Sequence, residues 1–518
     1  MRKDTNPMVS KVKSCVLTGI DGCVVEVEAD ISNGIPAFDI VGLGDTAVRE
    51  SRERVRAAIK NSGLEFPVRR ITINLAPANL RKVGSVYDAA IAVGIMAAAG
   101  AITASEPDNF MFLGELSLDG GIKPVNGILS MVCCARNNRI KNVFVPAENA
   151  NEAAVVKEIN VLPVRTLLEI IAHLNGQHLI TPHTVDISDI FRQNTPSSVD
   201  FSDVRGQAHA KRALEIAACG AHNLLMVGTP GSGKTMLAKR LPTILPQMTF
   251  EEALELTKIY SVSGLLPYKN SLIPSRPFRN PHHTISDTSL VGGGRHIRPG
   301  EVSLAHYGVL FLDEFPEFGM EAVEALRQPL EDGEICITKA NNSVTYPART
   351  TLICAANPCK CGYYLDSSQK CSCTPRVLKQ YLGKFSRPIL DRIDIHAEVK
   401  PVRYQDIEKK GEEETSGAIR ERVNRTRKIQ LERYVGMGIY SNAELPPALI
   451  REYCRLDRTT ASLLRRAFEK LGLSARAYDR ILKVARTIAD MDGSDSIKSR
   501  HVAEAIQYRS FDRAGNRG

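Results

Sequence analysis

No run of apolar residues in this chain is long enough to cross a membrane. The longest uncharged apolar stretch, Ala89 to Ile102, falls short of the ~20 residues a spanning helix needs, and Gly94 and Gly100 interrupt it. The amino-terminal MRKDTNPMVSK is basic but has no apolar segment behind it, so it does not read as a signal peptide. Internal repeats of roughly 20–50 residues are missing too, which sets aside solenoids and propellers. These absences argue against membrane and secreted classes and lead to the expectation of a cytoplasmic protein. What is present is ordinary for a soluble globular chain: 518 residues, 43% hydrophobic and 24% charged. At roughly 100–200 residues each, that is about three or four domains.

With no export signal, the 12 cysteines read as reduced thiols rather than disulfides. Eight are dispersed in apolar or mixed surroundings and read as core filler. Cys359, Cys361, Cys371 and Cys373 instead form a C-x-C…C-x-C cluster within fifteen residues. Four thiolates at that spacing can close a tetrahedron around zinc. Reduced loop thiols and a redox disulfide are the alternatives. A zinc held there would be structural, stiffening the loop and leaving no open position for catalysis.

Charge is uneven. Net charge is +9, and residues 376–518 carry 30 Lys/Arg against 20 Asp/Glu, which leaves the rest of the chain about neutral. A basic carboxyl-terminal region on a neutral body is a footprint for nucleic acid, with a solvated helical surface as the alternative.

Residues 8–175 read as one α/β unit. VKSCVL and CVVEVEADI have strand patterns, Asp45 precedes a helix over DTAVRESRERVRAAIKNSG, and DAAIAVGIMAAAGAI reads as a buried helix. Residues 176–203, rich in Ser, Thr, Pro, Asn and Asp, read as a linker. Residues 204–400 start with a helix, then a strand and a glycine-rich turn. Residues 415–512 have helical periodicity throughout, after a charged loop, EKKGEEETSG.

The strongest signal is HNLLMVGTPGSGKTMLAKRL. A buried strand leads into Gly228, Thr229, Pro230, Gly231, Ser232, Gly233, Lys234 and Thr235, followed by good helix formers. Strand, glycine loop and helix in that order form a phosphate-binding loop, whose backbone N–H groups and helix terminus cradle the phosphates. Lys234 would reach the β- and γ-phosphates of ATP and Thr235 would ligate magnesium. A second apolar strand, GVLFLDE, ends in Asp313 and Glu314. In the same parallel sheet, Asp313 would hold the magnesium ion and Glu314 would polarise the attacking water. A third strand, TLICAAN, ends in Asn357, placed to orient the water or to sense the γ-phosphate.

Together these elements resemble the Walker A, Walker B and sensor 1 elements of AAA+ ATPases. RNPHHTISDTSLVGGG, PGEVSLAHYGVLFLDE, LRQPLEDGEI and LDRIDIH resemble the magnesium-chelatase-like branch, and within it the bacterial ComM/YifB group, over about residues 8–510. The resemblance implies an α/β fold in three parts: a Lon-protease-like amino-terminal domain, an AAA+ P-loop core and a helical carboxy-terminal lid.

The resemblance also implies roles for particular residues. Hexamers of that family build composite sites, and the arginine donated to the neighbouring subunit matches Arg392. Arg387 stands where relatives have glycine and is a second cation for that role. Taken alone, Arg392 beside Asp391 and Asp394 reads as a salt-bridging residue. Sensor 2 matches Arg476, with Arg480 one turn away. Two insertions mark the group: Gly292–Gly294 with Arg295, His296 and Arg298, and the hairpin CITKANNSVTYP, with Asn341-Asn342 in its turn and Lys339 as a candidate DNA-phosphate contact. In the Lon-like part, Ser85 falls near the nucleophile position. Leu129 stands at the lysine position and Lys123 lies off it, which points to a binding or assembly module. The resemblance thus implies a hexameric ATP- and magnesium-dependent motor on single-stranded or branched DNA, working in recombination and uptake of foreign DNA. A chelatase motor lacking its own D-x-S-x-S metal motif, or a protein-remodelling ATPase, is the alternative.

Overall fold

The computed structural model describes residues 9–102, 109–187, 191, 199–267, 270–294, 297–339, 342–364, 369–402 and 413–509. They divide into two compact units. One comprises the chain up to Asn194 together with Ala253–Pro274, and the other comprises Thr195–Glu252 with the chain from Ser275 onward. Mixed α/β structure, a parallel-sheet core and a helical carboxyl-terminal region account for the described residues.

The first unit is built on seven strands: β1 (Ser10–Thr18), β2 (Asp21–Ser32), β3 (Ala37–Val41), β4 (Arg70–Ala76), β5 (Phe110–Phe112), β6 (Asn142–Pro146) and β7 (Asn160–Val164). Their order across the sheet is β3-β4-β2-β1-β5-β6-β7, antiparallel at β1–β2 and β2–β4 and parallel elsewhere. Strand β2 alternates as its sequence does: Val25, Val27, Ala29 and Ile31 turn inward. Helix Thr46–Asn61 begins where Asp45 accepts a hydrogen bond from the Val48 N–H (3.0 Å), and it buries Val48, Val55, Ala58 and Ile59. Every residue of helix Asp88–Ala98 is buried, so its sequence shows no polar face.

Residues 253–274 complete this unit from far along the chain. Glu152, itself buried, accepts hydrogen bonds from the Leu129 N–H (2.9 Å), from Asn149 Nδ2 (3.3 Å) and from the Ser261 hydroxyl. The Ser261 carbonyl accepts from the Gly127 N–H at 3.1 Å.

The second unit holds β8 (Leu224–Gly228), β9 (Phe278–Arg279), β10 (Val309–Leu312), β11 (Thr351–Ala356) and β12 (Ile395–Val399), all parallel, in the order β9-β10-β11-β8-β12. Both faces of this sheet are covered. Leu224 and Met226 pack into one core with Phe311, Ile353 and Ile395, while Leu225 and Val227 pack into another with Leu310, Leu312 and Leu352. Burial on both faces is why these strands read as continuous apolar runs. Phe201, at the end of the stretch that reads as a linker, is fully buried in the first of these cores. Thr415, Asp457 and Ser474 cap the helices Ser416–Arg433, Arg458–Leu471 and Ala475–Met491. Among the described residues no helix is long and apolar enough to cross a membrane.

Candidate nucleotide-binding site

The carboxyl ends of β10, β11 and β8 lie side by side, with Leu312 opposite Cys354 and Val227 opposite Ala356. That register brings together the residues that follow each strand. Thr235 Oγ1 donates to Asp313 Oδ2 at 2.7 Å. Lys234 Nζ donates to the carbonyls of Gly228 (2.8 Å) and Thr229 (2.9 Å) and to Asn357 Oδ1 (3.2 Å). Burial pulls the Lys234 amine below its ordinary range, and the Asp313 charge opposes that shift.

Backbone shape explains the glycines. A Cβ on Gly228 would lie 2.2 Å from the Val399 carbonyl oxygen, so no side chain fits where the loop leaves β8. Gly231 and Gly233 have φ of 75° and 92°, the left-handed region, with open space around them. Ser232 Oγ is buried without a hydrogen-bond partner among the described residues, a free polar group inside a phosphate-sized loop. The carboxylate–hydroxyl pair Asp313 and Thr235 is an oxygen donor set that suits magnesium.

Glu314 is exposed and sits at φ 52°, a left-handed conformation uncommon for glutamate. Its N–H donates to Asp313 Oδ1 at 3.0 Å. His283 Nδ1 lies 3.5 Å from Glu314 Oε2. Gln207 Nε2 donates to the Ser232 carbonyl at 3.2 Å, tying the phosphate loop to the start of helix Ala208–Gly220. Neither His283 nor Gln207 stands out in the sequence, because each meets its partner only through the fold.

Comparison with known proteins fits this geometry. The family model described as "Magnesium chelatase, subunit ChlI" matches residues 200–407, "Subunit ChlI of Mg-chelatase" matches 27–149, and "Magnesium chelatase, subunit ChlI C-terminal" matches 413–509. Competence protein ComM of Haemophilus influenzae is 43% identical over 496 residues, covering 95% of this chain and 96% of that one. The chain belongs to the ComM/YifB family of magnesium-chelatase-like AAA+ proteins. Protein YifB of Escherichia coli is 41% identical over 508 residues, covering 98% of each chain. A more distant relative, maternal DNA replication licensing factor mcm6 of Xenopus tropicalis, is 25% identical over 306 residues, covering 56% of this chain and 32% of that one.

The remaining residues singled out in this ComM/YifB-family chain fall as follows. Arg392 is buried, with its side chain 6% exposed; it pairs with Glu331 rather than with Asp391 or Asp394 and donates to the Pro388 carbonyl (2.8 Å). Its Nε has no partner among the described residues. Arg476 is exposed in the first turn of helix Ala475–Met491. The Arg392 hydrogen bond, with the charges of Arg392 and Arg476, holds the Glu331 carboxyl below the usual carboxylate range. Arg480 is committed elsewhere: it pairs with Asp394 and donates to the Asp391 carbonyl at 2.6 Å. The side chains of Arg387 and Lys339, and residues Arg295, His296 and Asn341, lie outside the described residues. Asn342, expected in the hairpin turn, opens the second strand and pairs with position 339.

Ser85 donates its hydroxyl to Glu115, and Glu115 faces Lys123 across a short antiparallel ladder. Leu129 is fully buried. The four clustered cysteines bring their sulfurs within 4.8 Å of one another.

One pH dependence follows from Asp394. Burial alone would raise its carboxyl, but the Arg480 charge and the His222 hydrogen bond hold it well below the carboxylate range. A carboxyl lowered by folding stabilises the fold above its unfolded pKa of about 3.9, and that stability is lost as pH falls toward the folded value. Urea midpoints measured from pH 7 downward are expected to fall below about pH 5, with a shallower decline in Arg480→Ala. Equal slopes in the two proteins would remove Asp394 as the source.

Proposed function

We propose that this chain is an ATP-hydrolysing ring motor that acts on DNA, a helicase or branch-migration protein of recombination and natural transformation that assembles as a hexamer. The observation that carries the ATP part is the convergence of Lys234, Thr235, Asp313 and Asn357 at the ends of three adjacent parallel strands. Lys234 and the loop N–H groups bind and neutralise the phosphates, and Thr235 and Asp313 hold the magnesium. Magnesium, when bound, offsets charge that develops on the phosphate oxygens. Glu314, exposed at the edge of the site, takes the proton of the attacking water, with His283 beside it to orient the carboxylate. Asn357 reads the γ-phosphate position and reports it to Lys234. Arg392 would serve a neighbouring subunit only after exchanging its pairing with Glu331, and Arg476 completes the site from the helical region.

Support for DNA as the substrate comes from two directions. The relatives include a competence protein and replication licensing factors, and the carboxyl-terminal region is basic. The matches to magnesium chelatase subunit ChlI favour a second reading, a chelatase-type or protein-remodelling motor. The four cysteines would hold a structural zinc: about 3.8 Å separates sulfurs at the corners of a tetrahedron with ~2.3 Å zinc–sulfur bonds, and the sulfurs of Cys359, Cys361 and Cys371 lie 3.3, 3.5 and 3.7 Å apart.

The decisive experiment is ATP-dependent branch migration on a synthetic four-way junction, with Lys234→Ala as control. Movement by the wild type and none by the variant is expected. ATP turnover without DNA binding or movement would eliminate the helicase reading and leave the chelatase or remodelling motor.

A further inference from the structure

The cysteine loop and the phosphate loop touch. Gly362, between the two halves of the cysteine cluster, is buried with φ 90°, and a Cβ placed on it would lie 2.4 Å from Pro230 Cδ and 2.6 Å from Pro230 Cγ. Pro230 is the third residue of the phosphate loop. Only a glycine backbone fits against that ring, and only glycine adopts this φ without strain. Gly362 is held in turn by its N–H, which donates to the Cys359 carbonyl at 3.0 Å.

Cys359 is fully buried and follows Asn357 by two residues. The Asn357 side chain meets Lys234, while its carbonyl accepts from the Tyr381 hydroxyl at 3.0 Å. Tyr381 lies on helix Pro375–Leu382, which begins directly after Cys373, where Thr374 caps it by accepting from the Val377 N–H. The chain therefore passes from Asn357 through both cysteine pairs and returns to Asn357 through Tyr381, with Gly362 on the way set against Pro230. A link between the four sulfurs closes that circuit. Without it, the contacts of Cys359 and Cys361 with Cys371 are those of thiols, at 3.7 and 3.5 Å.

We infer that the four-cysteine loop is a metal-closed brace that sets the phosphate loop at Pro230 and the γ-phosphate sensor Asn357, so that metal occupancy governs nucleotide affinity. Gly362 and Tyr381 are its positioning residues. The inference rests on the nucleotide site and the zinc site proposed above. The brace acts on binding because Pro230 and Asn357 shape the pocket before any bond breaks. Removing the metal lets Gly362 withdraw from Pro230 and leaves the phosphate-binding N–H groups to find their geometry only after nucleotide arrives, a loss of pre-organisation.

The test uses the full chain purified under reducing conditions. Zinc content is read by elemental mass spectrometry, and nucleotide affinity by titration with a fluorescent ATP analogue, before and after treatment with a zinc chelator and after adding zinc back. One zinc per chain is expected, with affinity falling at least tenfold on chelation and returning with zinc. Gly362→Ala is expected to keep its zinc and its far-ultraviolet circular dichroism and still lose at least tenfold in affinity. Zinc present but affinity unchanged by chelation, with Gly362→Ala binding normally, overturns the brace while leaving the metal site standing. A reduced chain that binds nucleotide tightly with no zinc overturns it at the metal. Zinc-loaded protein that binds no nucleotide, indistinguishable from Lys234→Ala, shows that the failure lies in the nucleotide site.

Discussion

Glu314→Gln is expected to lower ATP turnover by about 10²–10⁴-fold, the usual share of a general base, while nucleotide affinity stays within a few-fold of wild type. The contrast follows from where the groups lie. Of the residues proposed to meet phosphate and magnesium, Thr235 donates to Asp313, and Lys234 donates to Asn357 and to the Gly228 and Thr229 carbonyls, bonds that do not involve Glu314. Glu314 meets them through its backbone N–H, which donates to Asp313 and which glutamine keeps. Glutamine also keeps the size of the side chain and a hydrogen-bonding oxygen for His283. It loses the ability to take a proton. Phosphate release at saturating ATP and equilibrium binding of a fluorescent nucleotide separate the two quantities. Parallel loss of both would place the Glu314 carboxylate among the magnesium ligands instead.

Asp490→Ala is expected to destabilise the second unit by about 3–5 kcal/mol, the range for breaking a buried ion pair from one side. The Asp490 side chain is completely buried. It accepts from Arg433 Nη1 (2.8 Å) and Nη2 (2.5 Å), from Arg486 Nε (3.0 Å) and from Asn442 Nδ2 (2.9 Å). Arg433 lies on helix Ser416–Arg433 and Arg486 on helix Ala475–Met491, so one carboxylate joins two helices and the Asn442 turn. Alanine leaves the Arg486 guanidinium, 3% exposed, facing a void with its charge unmatched. Urea unfolding followed by circular dichroism measures the loss. A cost below about 1 kcal/mol, the value of an exposed pair, would mean that packing alone holds these helices together.

How much of this was legible in the sequence depends on how far apart the cooperating residues lie. The phosphate loop is contiguous, and its neighbours β10 and β11 are apolar on both faces and end in Asp313 and Asn357, so strand, turn and ligand could be read together. Gln207, His283 and Glu331 could not be, because each acts on a partner between 25 and 61 residues away. Arg392 shows the same limit. Its nearest acids in sequence, Asp391 and Asp394, suggest a local pair, but the chain turns Asp394 toward Arg480 and His222 and leaves Arg392 to Glu331. Phe201 was hidden by its polar surroundings, since a single buried aromatic in a Ser- and Asp-rich stretch produces no periodic signal. The helix Phe250–Ser263 was hidden for a different reason: helical sequence does not say which body a helix docks on.

That helix and the residues after it also bear on how the protein is made. Ser261 donates to the buried Glu152 and accepts from the Gly127 N–H, so the first unit lacks these partners until the 253–274 segment has been synthesised. A ribosome adding roughly 5–20 residues per second needs about 4–16 s to travel from Asn194 to Pro274. During that interval the sheet of the first unit has all its strands but not the 253–274 segment, while β8 and the phosphate loop are being made. A cut in the 188–198 stretch would not yield two independent halves either, since the carboxyl-terminal fragment would carry away a piece of its neighbour.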